Sequence, residues 1–169
     1  MAQAKEIERK WLISKNDIPF DLETLPKIKM EQSYISFSPT IRIRSMNQSK
    51  FILCVKSKAK EGSLSRDEFE TEITKEQYEF LLGKIEGNII EKTRYIKYDE
   101  TGHKMEIDIF SNALEGLAYM EIEFQSEEEA LLYRTPSWAI ADVSFDSRYN
   151  NTALAQLGMP PLPGDLSDC

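Results

Sequence analysis

The chain reads as an α+β, mainly β fold, in which one antiparallel sheet of about eight strands carries a few short helices. Three observations predict it. Apolar or aromatic residues alternate with charged ones at period two in about eight segments, the pattern of strands with two unlike faces. Turn-forming residues separate those segments, and helix-start signals are few.

In chain order the strands fall at roughly 4–12, 27–37, 40–46, 50–57, 66–73, 89–98, 103–110 and 118–125. Met46-Asn47-Gln48-Ser49 and Asp99-Glu100-Thr101-Gly102 fit hairpin turns. Thr74 with Gln77 and Ser126 with Glu129 fit the capping box, in which the hydroxyl and the later side chain satisfy each other's orphan backbone donors. Each opens a helix of two or three turns. A third short helix follows Asn151, with Gly158 as its C-cap. The organisation is one domain over 1–158 and a Pro-rich, extended and loose tail over 159–169.

With 169 residues and 41% apolar content, the chain can bury a core without disulfides or a structural metal. A net charge of −8 argues against nucleic-acid or anionic-membrane partners, both of which want a broad basic surface. Any polyanion must therefore sit in a local basic pocket. Cys54 and Cys169 form no disulfide framework and have no metal-ligand spacing, so a reducing compartment is the simpler reading. No apolar leader or span is present, and the expected location is cytoplasmic.

Residues two apart on a strand share a face, so the polar parity can be read strand by strand. It runs Glu6, Glu8, Lys10; Arg42, Arg44; Lys56; Glu68, Glu70, Glu72; Lys92, Arg94; Glu106, Asp108; Glu121, Glu123. Any one of these strands alone is compatible with the wet face of an ordinary sheet. The set is different because most of its strands are purely basic or purely acidic, and like charges about 6 Å apart repel by roughly 3 kcal/mol at an effective dielectric near 20. Such segregation suits a polyanion on one side and a multivalent cation on the other. Eight strands also suffice to close a sheet on itself, and alternation alone leaves open which parity then faces inward.

Glu6-Ile7-Glu8-Arg9-Lys10 matches the Glu-x-Glu-x-Lys signature of the CYTH superfamily of triphosphate tunnel metalloenzymes. Similar blocks follow in order: Ile41-Arg42-Ile43-Arg44, Val55-Lys56, Ser65 to Glu70, Glu91 to Tyr95, Glu106 to Phe110, Met120 to Phe124, Asp142-Val143 and Arg148-Tyr149. The chain thus resembles the compact bacterial inorganic triphosphatases over roughly residues 5–155. The resemblance implies an eight-stranded closed antiparallel β-barrel, a tunnel with the charged parity inside and a few short covering helices outside. It implies phosphate binding by Lys10, Arg42, Arg44, Lys56, Lys92 and Arg94. Metal binding falls to Glu6, Glu8, Glu121 and Glu123, with Glu70 and Glu72 as further contributors and Asp108 and Asp142 as weaker candidates.

Lys10, which completes the signature, and Tyr34, which matches a tunnel tyrosine given acid–base or gating duties in similar proteins, are the catalytic candidates. A phenol starts near pKa 10, so Tyr34 needs neighbouring cations to lower it before it can act as a base; a barrel tyrosine with a satisfied hydroxyl is the alternative. His103 reads as an exposed hairpin residue. Many relatives carry a lysine just after the Arg-Tyr pair, where this chain has Asn150, Asn151 and Thr152. Oxygen-only ligands point to Mg²⁺ or Mn²⁺.

The implied activity is metal-dependent hydrolysis of a linear triphosphate, inorganic tripolyphosphate first. One ion would bridge phosphates and carboxylates and a second would activate water. Alternatives are a nucleoside or thiamine triphosphatase, a class IV adenylyl cyclase, and a non-catalytic polyphosphate-binding module.

Overall fold

The computed structural model describes residues 2–57 and 61–163, with side chains described from residue 5 onward. Its nine strands are β1 (Ala2–Ile13), β2 (Lys27–Phe37), β3 (Thr40–Met46), β4 (Lys50–Lys56), β5 (Ser65–Ile73), β6 (Glu86–Tyr98), β7 (Lys104–Phe110), β8 (Ala118–Glu123) and β9 (Ala139–Asp142). The helices are α1 (Lys75–Leu82), α2 (Glu127–Leu132) and α3 (Asn151–Leu157).

The strand order is β5-β4-β3-β2-β6-β7-β8-β1-β9, and a further β5–β1 ladder closes the first eight strands into an antiparallel barrel. β1 makes the closure. Its residues 2–7 pair with β5 and residues 8–12 with β8, while Trp11–Ile13 also pair with β9. The eight expected strands are present within a few residues of their expected bounds. β9 is additional, and four residues are too few for an alternation to be read.

The outward parity is the apolar one. Ile7, Trp11, Ile107, Met120 and Ile122 pack beneath the α2 segment, while Ile43 and Phe51 pack against Tyr78 of α1. The Thr74 capping box is complete at α1. At α2 the Ser126 hydroxyl accepts from Glu129 N, but the Glu129 carboxylate turns to Gln125 N and to His103 instead of closing the box. His103 is accordingly half-buried against Phe124 and Tyr133, and ties the β6–β7 turn to α2.

Leu12, Tyr34, Ile90, Phe110 and Tyr119 join Leu154 and Ala155 of α3 in one apolar cluster, which stops this end of the barrel. Gly158 ends α3 with φ 81°, as its C-cap. Of the expected tail, Pro160 to Leu162 lie against the domain: Pro160 is buried, Tyr149 Oη donates to the Pro161 carbonyl at 2.7 Å and Leu162 packs on the apolar cluster, while Met159 and Pro163 are exposed. Cys169 lies outside the described residues.

Gly87 lets α3 seat. Its φ is +73°, and a Cβ there would lie 2.6 Å from the Ala155 carbonyl oxygen, which also accepts from the Asn88 amide. Gly87→Ala is expected to destabilise the protein by more than about 1 kcal/mol, combining left-handed strain with backbone collision. The check is chemical denaturation beside Gly102→Ala, whose Cβ meets open space and reports the strain alone.

Candidate functional site

The inward parity encloses a cavity of about 300 Å³. Strand order gives it polarity. The contiguous strands β3, β2 and β6 contribute Arg42, Arg44, Gln32, Tyr34, Lys92 and Arg94, whereas the arc β7, β8, β1, β5 contributes Glu106, Glu121, Glu123, Glu6, Glu8, Glu68 and Glu70. Lys56 of β4 stands where the two arcs meet. Lys5, Lys10 and Arg66 are the basic members of the acidic arc, and the exposed Lys5 and Glu123 line the end away from the apolar stopper.

Most cations here already hold a partner. Lys56 Nζ donates to both Glu6 oxygens (3.0 and 2.8 Å), and Arg66 Nε donates to Glu6 Oε2 at 3.1 Å. Burial works to raise the Glu6 carboxyl, but the Lys56 ammonium, with Arg66 and Arg42, outweighs it and holds the group down at about 2. Behind the basic wall Asp108, wholly buried, receives Lys92 Nζ at 2.6 Å and Arg94 Nε and Nη2 at 2.7 and 2.8 Å. Arg94 also pairs with Glu106 and reaches Glu121 at 3.3 Å. Burial pulls Lys92 down to about 8 even with Asp108 beside it. Lys10 Nζ lies 3.5 Å from Glu121 and donates to the Tyr149 carbonyl at 3.4 Å.

Arg42 and Arg44 are the exceptions. Among the described residues neither takes part in an ion pair, and the Nε of each is buried without a hydrogen-bond partner. Burial and the neighbouring Arg42 and Arg94 charges pull Arg44 down to about 10. The acidic arc shows the mirror image. Burial, then the Glu121 and Glu6 charges, push the Glu8 carboxyl up to about 8, and burial with Glu6 and Glu106 also raises Glu123. Burial opposes the Arg42 charge too, but Tyr34, Cys54, Glu6 and Glu68 outweigh it and raise that group, so the unmet positive charge of this wall centres on Arg44, and the facing arc carries a carboxyl that retains its proton for want of a cation.

Every residue expected to bind phosphate lines this cavity, as do Glu6, Glu8, Glu70, Glu121 and Glu123. Glu72 does not: it shares their parity but is exposed at the end of β5, beyond the cavity. Asp108 and Asp142 are corrected as well. Asp108 is consumed as the counter-ion of Lys92 and Arg94, and Asp142 lies outside the barrel, where Arg9 Nη2 reaches it at 2.5 Å.

Tyr34 faces the cavity with its ring stacked on Phe37 at 5.2 Å. Burial raises its phenol above the ordinary value in spite of Arg42 and Lys10, so the condition for acting as a base is not met. The hydroxyl remains a donor. Sequence reasoning also missed Arg66, which the parity of Glu68 and Glu70 already marked, and Gln32, whose uncharged side chain gave no signal. Asn150, Asn151 and Thr152, uncharged residues, also line the cavity.

The acidic ligands do not all converge. Among the described residues, the acidic or sulfur ligand atoms that lie within 4.8 Å of one another belong to Cys54, Glu68 and Glu70, while Glu6 is held by Lys56 and Arg66. Cys54 is a buried free thiol, which burial pushes up.

The CYTH domain model matches residues 4–142. An inorganic triphosphatase of Nitrosomonas europaea is 37% identical over 153 residues, 89% of this chain and 96% of the relative. One from Acetivibrio thermocellus is 33% identical, over 90% of this chain and 94% of its own. A crystal structure of an inorganic triphosphatase superposes with a TM-score of 0.64 at 32% identity, over 89% and 93% of the two chains. A Hippeastrum protein described as a putative adenylyl cyclase with dominant triphosphatase activity has a TM-score of 0.57 over 75% and 82%, and at 18% identity it shares the fold.

The Glu8 proton makes a pH prediction for metal-free protein. Below about pH 4.5 both folded and unfolded chains hold this proton and it costs nothing. Between about 4.5 and 8 only the folded chain retains it, so its contribution to stability is lost as pH rises through that window. Glu6, depressed to about 2, acts with the opposite sign and only at acid pH. Glu8→Gln should therefore gain on the wild type by about 1 kcal/mol or more between pH 5 and pH 8, or about 2–4 °C in melting temperature. A melting difference that does not change with pH would remove the assignment.

Proposed function

Because the chain belongs to the CYTH domain family, we propose that it hydrolyses a linear triphosphate, with inorganic tripolyphosphate as substrate and a divalent cation as cofactor. The observation that carries this reading is the pair of guanidinium groups, Arg42 and Arg44, which line the basic wall and, among the described residues, form no ion pair and leave each Nε without a hydrogen-bond partner. An arginine fork can hold two phosphate oxygens at once, and two forks on the same face of one strand can hold different phosphates of a chain. The relatives named inorganic triphosphatase, similar over most of both chains, support the same substrate.

The remaining groups divide the work. Lys92 and Arg94, oriented by Asp108, extend the cationic wall, while Lys10 meets the anion from the opposite arc and Lys56 from the junction of the two. Charge that develops on oxygen as the bridging bond breaks is met by donors already in place, which is where most catalysis of phosphoryl transfer resides. The Tyr34 hydroxyl, held as a phenol, adds an uncharged donor beside Arg42.

The carboxylate arc fits a hard cation such as Mg²⁺ or Mn²⁺. The donor set is oxygen throughout, and the protonated Glu8 beside Glu121 and Glu123 is a site short of positive charge. Glu8, Glu121 and Glu123 would hold it, joined by Glu6 if substrate draws Lys56 away. When bound, the cation supplies Lewis acidity at the phosphates. A cation held there would favour the ionised form of Glu8, whose proton would then pass to solvent.

Phosphate release is to be measured with tripolyphosphate, ATP and thiamine triphosphate in Mg²⁺, in Mn²⁺ and in excess chelator. Tripolyphosphate should be turned over fastest, and chelator should abolish turnover. Arg44→Ala should lower kcat by about tenfold or more, roughly 1.4 kcal/mol of transition-state stabilisation, while the empty protein melts no lower than wild type because an unpaired buried charge has gone. Tight binding of tripolyphosphate with metal but no phosphate release over hours would replace the hydrolase by a binding module.

A further inference from the structure

We propose that Gln32 is a substrate-binding residue whose side-chain amide reads the polyphosphate chain between the arginine strand β3 and the lysine–arginine strand β6. The proposal rests on the triphosphatase reading above and names a contact that reading does not contain.

Gln32 is 1% exposed and lines the cavity, and among the described residues neither Nε2 nor Oε1 of its amide has a hydrogen-bond partner. Since both ends are unbonded, the observation does not depend on which way the amide is turned. An amide buried in this way costs free energy that an apolar side chain of equal length would not, so folding alone gives no reason for it. Its backbone sits in the ladders opposite Arg44 and Ile90, and neither ladder asks anything of the side chain.

Position explains what the amide can do. β2 lies between β3 and β6, so Gln32 stands in the middle of the basic wall, directly across from Arg44, whose Nε is also unbonded. A further cation there would add to the Arg42 and Arg94 repulsion that, after burial as the larger cause, pulls Arg44 down to about 10. A neutral donor adds a phosphate contact without that penalty. Nε2–H donates to a non-bridging oxygen of the chain, and Oε1 accepts from water ordered on the phosphates.

Three variants test this: Gln32→Met, which keeps length and removes both polar ends; Gln32→Glu, which replaces the donor with an acceptor; and Gln32→Asn, which draws the amide back by one methylene. Melting temperature without ligand, the melting shift with tripolyphosphate and metal, and KM and kcat are read for each. Gln32→Met should melt at or above the wild type when empty, yet show KM raised by at least tenfold and a smaller ligand-induced shift. Gln32→Glu should lose more. If Gln32→Met does not fold, the same KM criterion applies to Gln32→Asn. A Gln32→Met protein that melts lower when empty while retaining wild-type KM would make the residue structural and overturn the proposal. Wild-type protein that neither binds nor cleaves tripolyphosphate would overturn the triphosphatase reading, and this proposal with it.

Discussion

β1 is hydrogen-bonded on both sides, to β5 through its first half and to β8 through its second, and that double engagement encloses Glu6, Glu8 and Lys10. On an open sheet these groups would rest in water. Once enclosed, each charge must find a counter-ion or remain unmet, because screening by solvent is largely lost. Asp108 settles Lys92 and Arg94, and Glu6 settles Lys56 and Arg66. What is left over has opposite sign on the two arcs, and only the joint arrival of an anion and a cation relieves both. In the proposed function that electrostatic surplus would couple substrate and metal before any chemistry begins.

Charge parity told which side chains share a surface, and the eight expected strands needed at most small adjustments at their ends. Parity carries no information about depth. Glu70 and Glu72 are equivalent in the alternation, yet one lines the cavity and the other projects beyond it. Nor does parity say which acid is spent as a counter-ion: Asp108 and Glu121 share the inward parity of adjacent strands, and only the three-dimensional convergence of Lys92 and Arg94 on Asp108 separates them. The Tyr34 phenol was undecidable for the same reason, since its proton affinity depends on how completely the barrel excludes water. Gln32 escaped notice because it is uncharged in a pattern read through charges.

The helices complete the site from outside. α1 covers the outer face of β3 and β4, directly behind Arg42 and Arg44, and α3 closes the end of the barrel on an apolar cluster that includes the Tyr34 ring. Backing of this kind limits how far the arginine strand can move when anions enter, and pre-positioned donors are worth more than donors that must be gathered.

Arg9 interrupts the inward series Glu6, Glu8, Lys10 with a cation of the opposite parity, and its outward guanidinium is fully employed. It donates to the carbonyls of Ala130 and Tyr133, pairs with Asp142 and stacks on Trp11 at 4.6 Å. A slip of one residue along β1 would turn that cation inward, strand Asp142, and send two glutamates and a lysine into the apolar cluster under α2. Arg9 therefore works as a reading-frame lock: the strand that bears the signature has a single phase in which both of its faces make sense, and a residue that never sees the cavity decides which side chains do.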